Sequence, residues 1–149
     1  MSKIINQYKH SDDQGSYTVC FGDKTLEVKF VGFLSEQLIE KFCADLELML
    51  GVIEWQYWGY YGDLSESAEQ FSQTTDMLSK LLNRYIEKGC VIDAYTVSTP
   101  LAVELITKTR HGAGILKGSI EKHIFADKEQ AIQFIHQILE KIENEKGIL

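Results

Sequence analysis

The sequence predicts an α/β fold with a mixed, mostly parallel sheet, on three observations. Strand-like and helix-like segments alternate from residue 25 to residue 142, every helical segment carries one apolar stripe and one polar face, and two short alternating strands meet at a tight turn near the start. Successive strand–helix–strand steps imply parallel pairing through right-handed crossovers, and the opening hairpin adds an antiparallel edge. The expected order is β-β-α-β-α-β-α-β-α, a sheet of about five strands with four helices. No linker, internal repeat or low-complexity stretch divides residues 1–149, so one domain is expected.

Residues 1–15 read as a polar leader. Tyr17, Val19 and Phe21 then alternate with Thr18 and Cys20, and Leu26, Val28 and Phe30 with Glu27 and Lys29, so that Gly22-Asp23-Lys24 joins two strands of a hairpin. Ser35 caps a first helix whose stripe is Leu38, Ile39, Phe42, Cys43, Leu46, Met49 and Leu50, ended by Gly51. Residues 52–61 are β-branched and aromatic and read as a strand. Gly62-Asp63-Leu64-Ser65-Glu66 closes it, either with Asp63 and Glu66 as a capping box or with the next helix starting at Ser65. That second helix carries Ala68, Phe71, Leu78, Leu81, Leu82 and Tyr85 to Gly89, and a strand follows over 90–98. Thr99-Pro100 is the expected start of a third helix, running to about Arg110. A glycine-rich loop, 111–119, leads to a short strand over 120–125. Asp127 with Gln130 opens the last helix, and 143–149 form a charged tail.

Charge narrows the function classes. With 15 cations against 22 acids the chain carries −7, which repels phosphate backbones and anionic lipid heads, so neither nucleic acid nor a membrane surface is an expected partner. Only Arg84 and Arg110 supply guanidinium forks. Cys20, Cys43 and Cys90 form neither a disulfide framework nor a zinc motif and fit a reducing cytoplasm. No signal peptide or membrane span is expected. The four histidines lack metal-ligand spacing, and no nucleophile motif or cofactor fingerprint is present. Gly112-Ala113-Gly114 leaves a helix and enters a strand, the reverse of what a phosphate loop needs.

The ending Gly118-Ser119-Ile120-Glu121-Lys122-His123-Ile124-Phe125-Ala126-Asp127-Lys128-Glu129-Gln130-Ala131-Ile132-Gln133-Phe134-Ile135 resembles the STAS-like, or SpoIIAA-like, domains. Phe125, Asp127, Glu129, Ala131 and Phe134 match the last strand-to-helix passage of an uncharacterised bacterial branch, and Val31-Gly32-Phe33-Leu34-Ser35 is similar to the family's entry into its first helix. The resemblance covers about residues 16–142. It implies four β-α units with the helices mainly on one side of a mixed sheet, and a non-catalytic regulatory or protein-interaction module. Anti-anti-sigma-factor members bind a partner kinase and are switched by phosphorylation of a serine in Asp-Ser-(Ser or Thr)-Gly. The corresponding segment here, Gly62 to Ala68, lacks the Asp-Ser pair and the following glycine. Asp63, Ser65 and Ser67 are therefore candidate caps or phosphoacceptors, with Asp63 and Glu66 repelling a phosphate on Ser65.

Two further features invite a functional reading. Trp55, Tyr57, Trp58, Tyr60 and Tyr61 place five of sixteen aromatics within seven residues. At period two, Trp55, Tyr57 and Tyr61 face one side and Trp58 and Tyr60 the other, so one set packs under helices while the second lies on the face they leave open. That second set is read as ordinary packing, as a self-association or partner surface, or as the lining of a pocket for a small apolar ligand between sheet and helices. Asp93 sits in an otherwise apolar strand and is the candidate functional carboxylate, expected to face solvent, cap a helix or hold a raised pKa. An enzyme built on Asp63 and Asp93 is a third reading. Lys108, Arg110, His111 and Lys117 are read as a local anion patch or a solvated face.

Overall fold

In the computed structural model, which describes residues 4–68, 73–114 and 120–147, the chain folds as an α/β protein. Three strands open it: β1 (Ile4–Ser11), β2 (Gly15–Gly22) and β3 (Thr25–Phe33). Then come α1 (Glu36–Leu50), β4 (Trp58–Ala68), α2 (Gln73–Glu87), β5 (Cys90–Val97) and α3 (Pro100–Gly112). A 3-10 turn (Ile120–His123), β6 (Ile124–Phe125) and α4 (Lys128–Gly147) close it. The six strands lie in chain order, with β1–β2 and β2–β3 antiparallel and β3–β4, β4–β5 and β5–β6 parallel.

The parallel half follows from caps and crossovers. Ser35 Oγ accepts the Leu38 amide, and Thr99 Oγ1 accepts that of Ala102 with Pro100 beside it, so α1 and α3 start where orphan amides find side-chain acceptors. The apolar stripes of α1, α2 and α3 cover one face of the sheet, packing on Tyr17, Phe30, Trp58, Tyr60 and Tyr95. α4 covers the other face over β4 and β5, where Ala131, Ile135 and Leu139 meet Tyr57, Tyr61 and Ala94. Gly59 permits this approach, because a Cβ there would stand 2.4 Å from Ile135 Cγ2. Across β1–β3 that same face keeps charged residues, among them Lys29 paired with Glu66 at 2.5 Å and Glu27 paired with Lys128 at 2.7 Å.

Four expectations change. Residues 4–11 are a strand rather than a leader, since an edge strand is held by its backbone ladder and needs few apolar side chains; Tyr8 and His10 contribute ring contacts to Tyr17. The hairpin loop is the two-residue Asp23-Lys24, both at positive φ (52° and 58°), the combination that matches the twist of the strands it joins. The aromatic strand begins at Trp58 and continues through Asp63, Ser65 and Ser67 to Ala68; residues 52–57 precede it as a connection. The expected last strand, 120–125, is mostly a 3-10 turn, with only Ile124–Phe125 pairing β5.

Candidate functional site: a groove at the β5 edge

Alternate residues of β5 face opposite ways, so Ala94 packs under α4 while Asp93 and Tyr95 face α1–α3. A carboxylate there is removed from water and must be neutralised by its neighbours. The last turn of α3 supplies Arg110: its Nε donates to Asp93 Oδ2 at 2.9 Å and its Nη2 to Oδ1 at 3.3 Å. Tyr95 Oη donates to the same Oδ2 at 2.9 Å. His123, on the 3-10 turn, closes the group with Nδ1 at 2.7 Å from the Asp93 carbonyl oxygen and Nε2 at 3.5 Å from Arg110 Nη2. A carbonyl only accepts, so Nδ1 donates to it; the same Nδ1 stands 3.3 Å from Asp93 Oδ1. The aspartate and arginine side chains are each 7% exposed, and the histidine 12%.

These groups form one wall of a groove of about 320 Å³ between β5 and α2. The remaining walls are apolar, chiefly Leu82 and Ile86 of α2 with Val91 and Ile92 of β5. The groove exists because β6 pairs only with Tyr95 and Thr96 and so leaves the first half of β5 without a strand on that side. Cys90 also lines it, but burial drives its thiol far above the usual range and its Sγ–H points to the Ile92 carbonyl, so it is no nucleophile. Arg110 has donors to spare: Nε and Nη2 are engaged, and no described residue accepts from Nη1. What the arrangement offers is a buried donor pair in an apolar groove, with the charge of Arg110 cancelled by Asp93.

Behind Leu82 lies a second, smaller space of about 50 Å³ between the sheet and α2–α3. Tyr60, Tyr85, Tyr95 and Thr109 line it; the hydroxyls of Tyr85 and Thr109 are buried, and Tyr85 is the side-chain hydrogen-bond partner of Tyr60. Burial raises the phenols of Tyr85 and Tyr95 well above their ordinary value, so both keep their protons.

The residues singled out by sequence do not assemble into one site. Trp58 and Tyr60 pack under α1–α3, with the Trp58 indole donating to the Lys88 carbonyl at 2.8 Å. Tyr57 and Tyr61 pack under α4, with Tyr61 Oη 2.8 Å from Thr96 Oγ1 and Lys24 Nζ 4.4 Å from the centre of the Tyr57 ring. Trp55 lies in the connection on the opposite side from Tyr57, with its ring 6.3 Å from that of Phe21. The expectation that one aromatic set lies on an open face is thus corrected: α4 occupies that face. Asp63, Ser65 and Ser67 are strand residues, not the start of a helix; Asp63 Oδ1 accepts from the Ser65 amide, Ser65 Oγ and Thr96 Oγ1, and Ser67 Oγ donates to the Leu64 carbonyl. Of these, Ser65 is exposed. Asp93 is corrected from a solvent-facing carboxylate to a buried, paired one. Lys117 lies outside the described residues, and with Arg110 committed to Asp93 and Lys108 3.4 Å from Glu104, the anion patch does not assemble among the others.

His123 was the partner that sequence reasoning missed, since nothing in its spacing pointed to Asp93. Arg110 was findable: a buried aspartate calls for a cation, the chain has two arginines, and Arg84, on α2, pairs with Glu47 of α1 and Glu87 of its own helix. No group of three His, Cys, Asp or Glu side chains among the described residues is placed to hold a metal ion, and no described helix is long and apolar enough to cross a membrane. No protein-family model matches the chain, and no curated protein is similar enough to it to count as a relative.

Proposed function

We propose that this chain is a non-catalytic, STAS-like regulatory module that senses a small, uncharged, mostly apolar ligand in the groove at the β5 edge. One observation carries the reading: Arg110, more than nine-tenths buried, lines an apolar groove, and none of the described residues accepts from its Nη1. A volume of about 320 Å³ stands at the small end of ligand sites, whereas 50 Å³ is the scale of buried water. The ion pair cancels its own field and the chain carries −7, so an anion gains little by approaching. A neutral carbonyl or amide oxygen accepts from Nη1 without facing that penalty, while its apolar body lies against Ile86 and Val91. Four β-α units with three helices on one sheet face support the STAS-like part of the reading.

The test is titration calorimetry with pentanamide, pentanoate and pentylammonium, which share one apolar chain and differ in head charge. Pentanamide is expected to bind and the two ions to bind more weakly. Ile86→Trp, at an exposed position, fills the groove and abolishes the binding. Equal affinity for all three, or binding indifferent to that substitution, overturns the reading.

A second reading, self-association, moves away from the aromatic strand to the end of α1. There Leu48 is 78% and Val52 64% exposed, beside a groove that Tyr8, Val19 and Phe21 help to line. A second copy seated on this patch gives a dimer by light scattering at micromolar concentration that Leu48→Glu converts to monomer; a monomer throughout removes this reading.

A further inference from the structure

The sheet ends at β1, and among the described residues no strand pairs its outer edge. Which groups that edge presents follows from the two turns beside it. The Asp12 amide donates to the Gly15 carbonyl at 2.9 Å, so these two residues form a bonded pair and the pairs beyond them alternate. His10–Tyr17 and Tyr8–Val19 are bonded, while Ser11–Ser16, Lys9–Thr18 and Gln7–Cys20 are not. The two-residue turn at Asp23-Lys24 gives the same phase, since it makes Gly22–Thr25 a bonded pair and so turns Cys20, Thr18 and Ser16 toward β3. The N–H and C=O groups of Gln7, Lys9 and Ser11 therefore point away from the sheet.

This edge lacks most of the devices that keep strands of different molecules apart. β1 runs for 8 residues without a proline, its irregularity is confined to the Ile4–Asn6 end, and Lys9 is its only lysine. Beside it stands the exposed apolar patch at the end of α1, where Leu48 and Val52 line a groove together with Gln7 and Tyr8. An occupant must offer an extended backbone to the edge and an apolar surface to the patch. A second copy offers both at once, because its own β1 and its own patch are contiguous in the same way.

We infer that two copies of this chain pair antiparallel along β1, about a two-fold axis at Tyr8, so that the strands of both run on as one sheet. The register follows from the outward groups. With Tyr8 opposite Tyr8 of the other copy, Gln7 of each strand meets Lys9 of the other, and each such pair exchanges two backbone bonds. A register centred on Lys9 sets like charges directly opposite, and one centred on Gln7 runs Lys9 against the irregular end. Tyr8 packs on the α1 side of the sheet, its ring 6.2 Å from that of Tyr17, so an axis at Tyr8 also sets the two Leu48–Val52 patches on one face. This rests on the self-association reading and specifies how the copies join.

Sedimentation equilibrium at micromolar concentration tests this with Lys9→Pro, because the Lys9 amide makes no bond to β2 and proline is tolerated on an edge whose N–H faces outward. The parent is expected to dimerise. Lys9→Pro takes one donor from each copy and is expected to raise the dissociation constant about tenfold or more, with a urea midpoint close to the parent's. Tyr8→Cys is expected to cross-link to itself under mild oxidation, since facing residues of this kind stand roughly 4.5 Å apart between Cα atoms, whereas Gln7→Cys does not. The parent chain is the control for the native Cys20, Cys43 and Cys90. A dimer unaffected by Lys9→Pro but lost in Leu48→Glu overturns the strand pairing and leaves the patch reading standing. Cross-linking of Gln7→Cys in place of Tyr8→Cys overturns the register. A monomer throughout overturns both the pairing and the patch reading.

Discussion

Asp45 and Asp93 are both buried under the α1–α3 layer, one over β2 and the other within β5, and the protein neutralises them differently. Asp45, on α1, takes a hydrogen bond from Tyr17 and an ion pair from Lys41 at 3.0 Å, a lysine whose side chain is 46% exposed. Lysine brings a point charge that remains hydrated on its outer side, so nothing there is left seeking a ligand. Asp93 takes Arg110, which is buried with it, and a guanidinium has five donors in a rigid fork where a carboxylate uses two or three. The surplus faces the groove. Two similar carboxylates therefore yield a closed structural cluster at one end of the sheet and an unfinished one at the other.

The contrast can be broken by removing each partner in turn. Arg110→Ala leaves a buried charge with no cation and is expected to cost about 3–5 kcal/mol in urea unfolding, whereas replacing both members by Asp93→Leu and Arg110→Met recovers most of it. A large residual loss in the double variant would mean that the pair contributes more than mutual neutralisation. Tyr17→Phe strips one donor from Asp45 and is expected to cost about 1–3 kcal/mol. Lys41→Met follows at no more than about 1 kcal/mol, since its charge is largely in water. If Lys41→Met matched Arg110→Ala, the distinction between a closed and an unfinished cluster would fail.

The smallest effects lie at the ends of the pH scale. Burial works to raise the Asp45 carboxyl, but hydrogen bonds from Tyr17 and Lys41 outweigh it and hold the group below its ordinary 3.8. Its folded pKa is depressed, so its contribution is present above 3.8 and lost as pH falls through the folded value; Asp45→Asn flattens that acid limb. Burial pushes the Cys43 thiol up to about 12 from 9.0. A raised pKa gives stability that is complete below 9 and disappears as pH climbs toward 12, so Cys43→Ala makes the alkaline limb shallower.

The fold class was legible because its signals are local: the stripes of α1 and α4, the Thr99-Pro100 start and the hairpin each depend on residues near one another in the chain. β1 was not, since Ile4–Ser11 is fixed by backbone pairing with β2. The end of β4 was misread because Asp63 and Ser65 are turn formers by habit, and only Thr96 on the neighbouring strand supplies the bond that lets Asp63 remain in a sheet. The aromatic cluster drew attention to the wrong surface: composition reveals that Trp58 and Tyr61 sit close together, but not that α4 returns to cover the second face. Asp93 was correctly marked as unusual, yet its meaning depends on Arg110 and His123, 17 and 30 residues away.

The central claim is that Arg110 Nη1 and the apolar walls beside it receive an uncharged ligand. Amide-resolved NMR titration with pentanamide tests this most directly. The account predicts shifts confined to Val91, Ile92, Asp93 and His123 around the groove, absent in Ile86→Trp and much smaller with pentanoate. Shifts clustered instead around Leu48 and Val52, or no saturable shift at all, would contradict it.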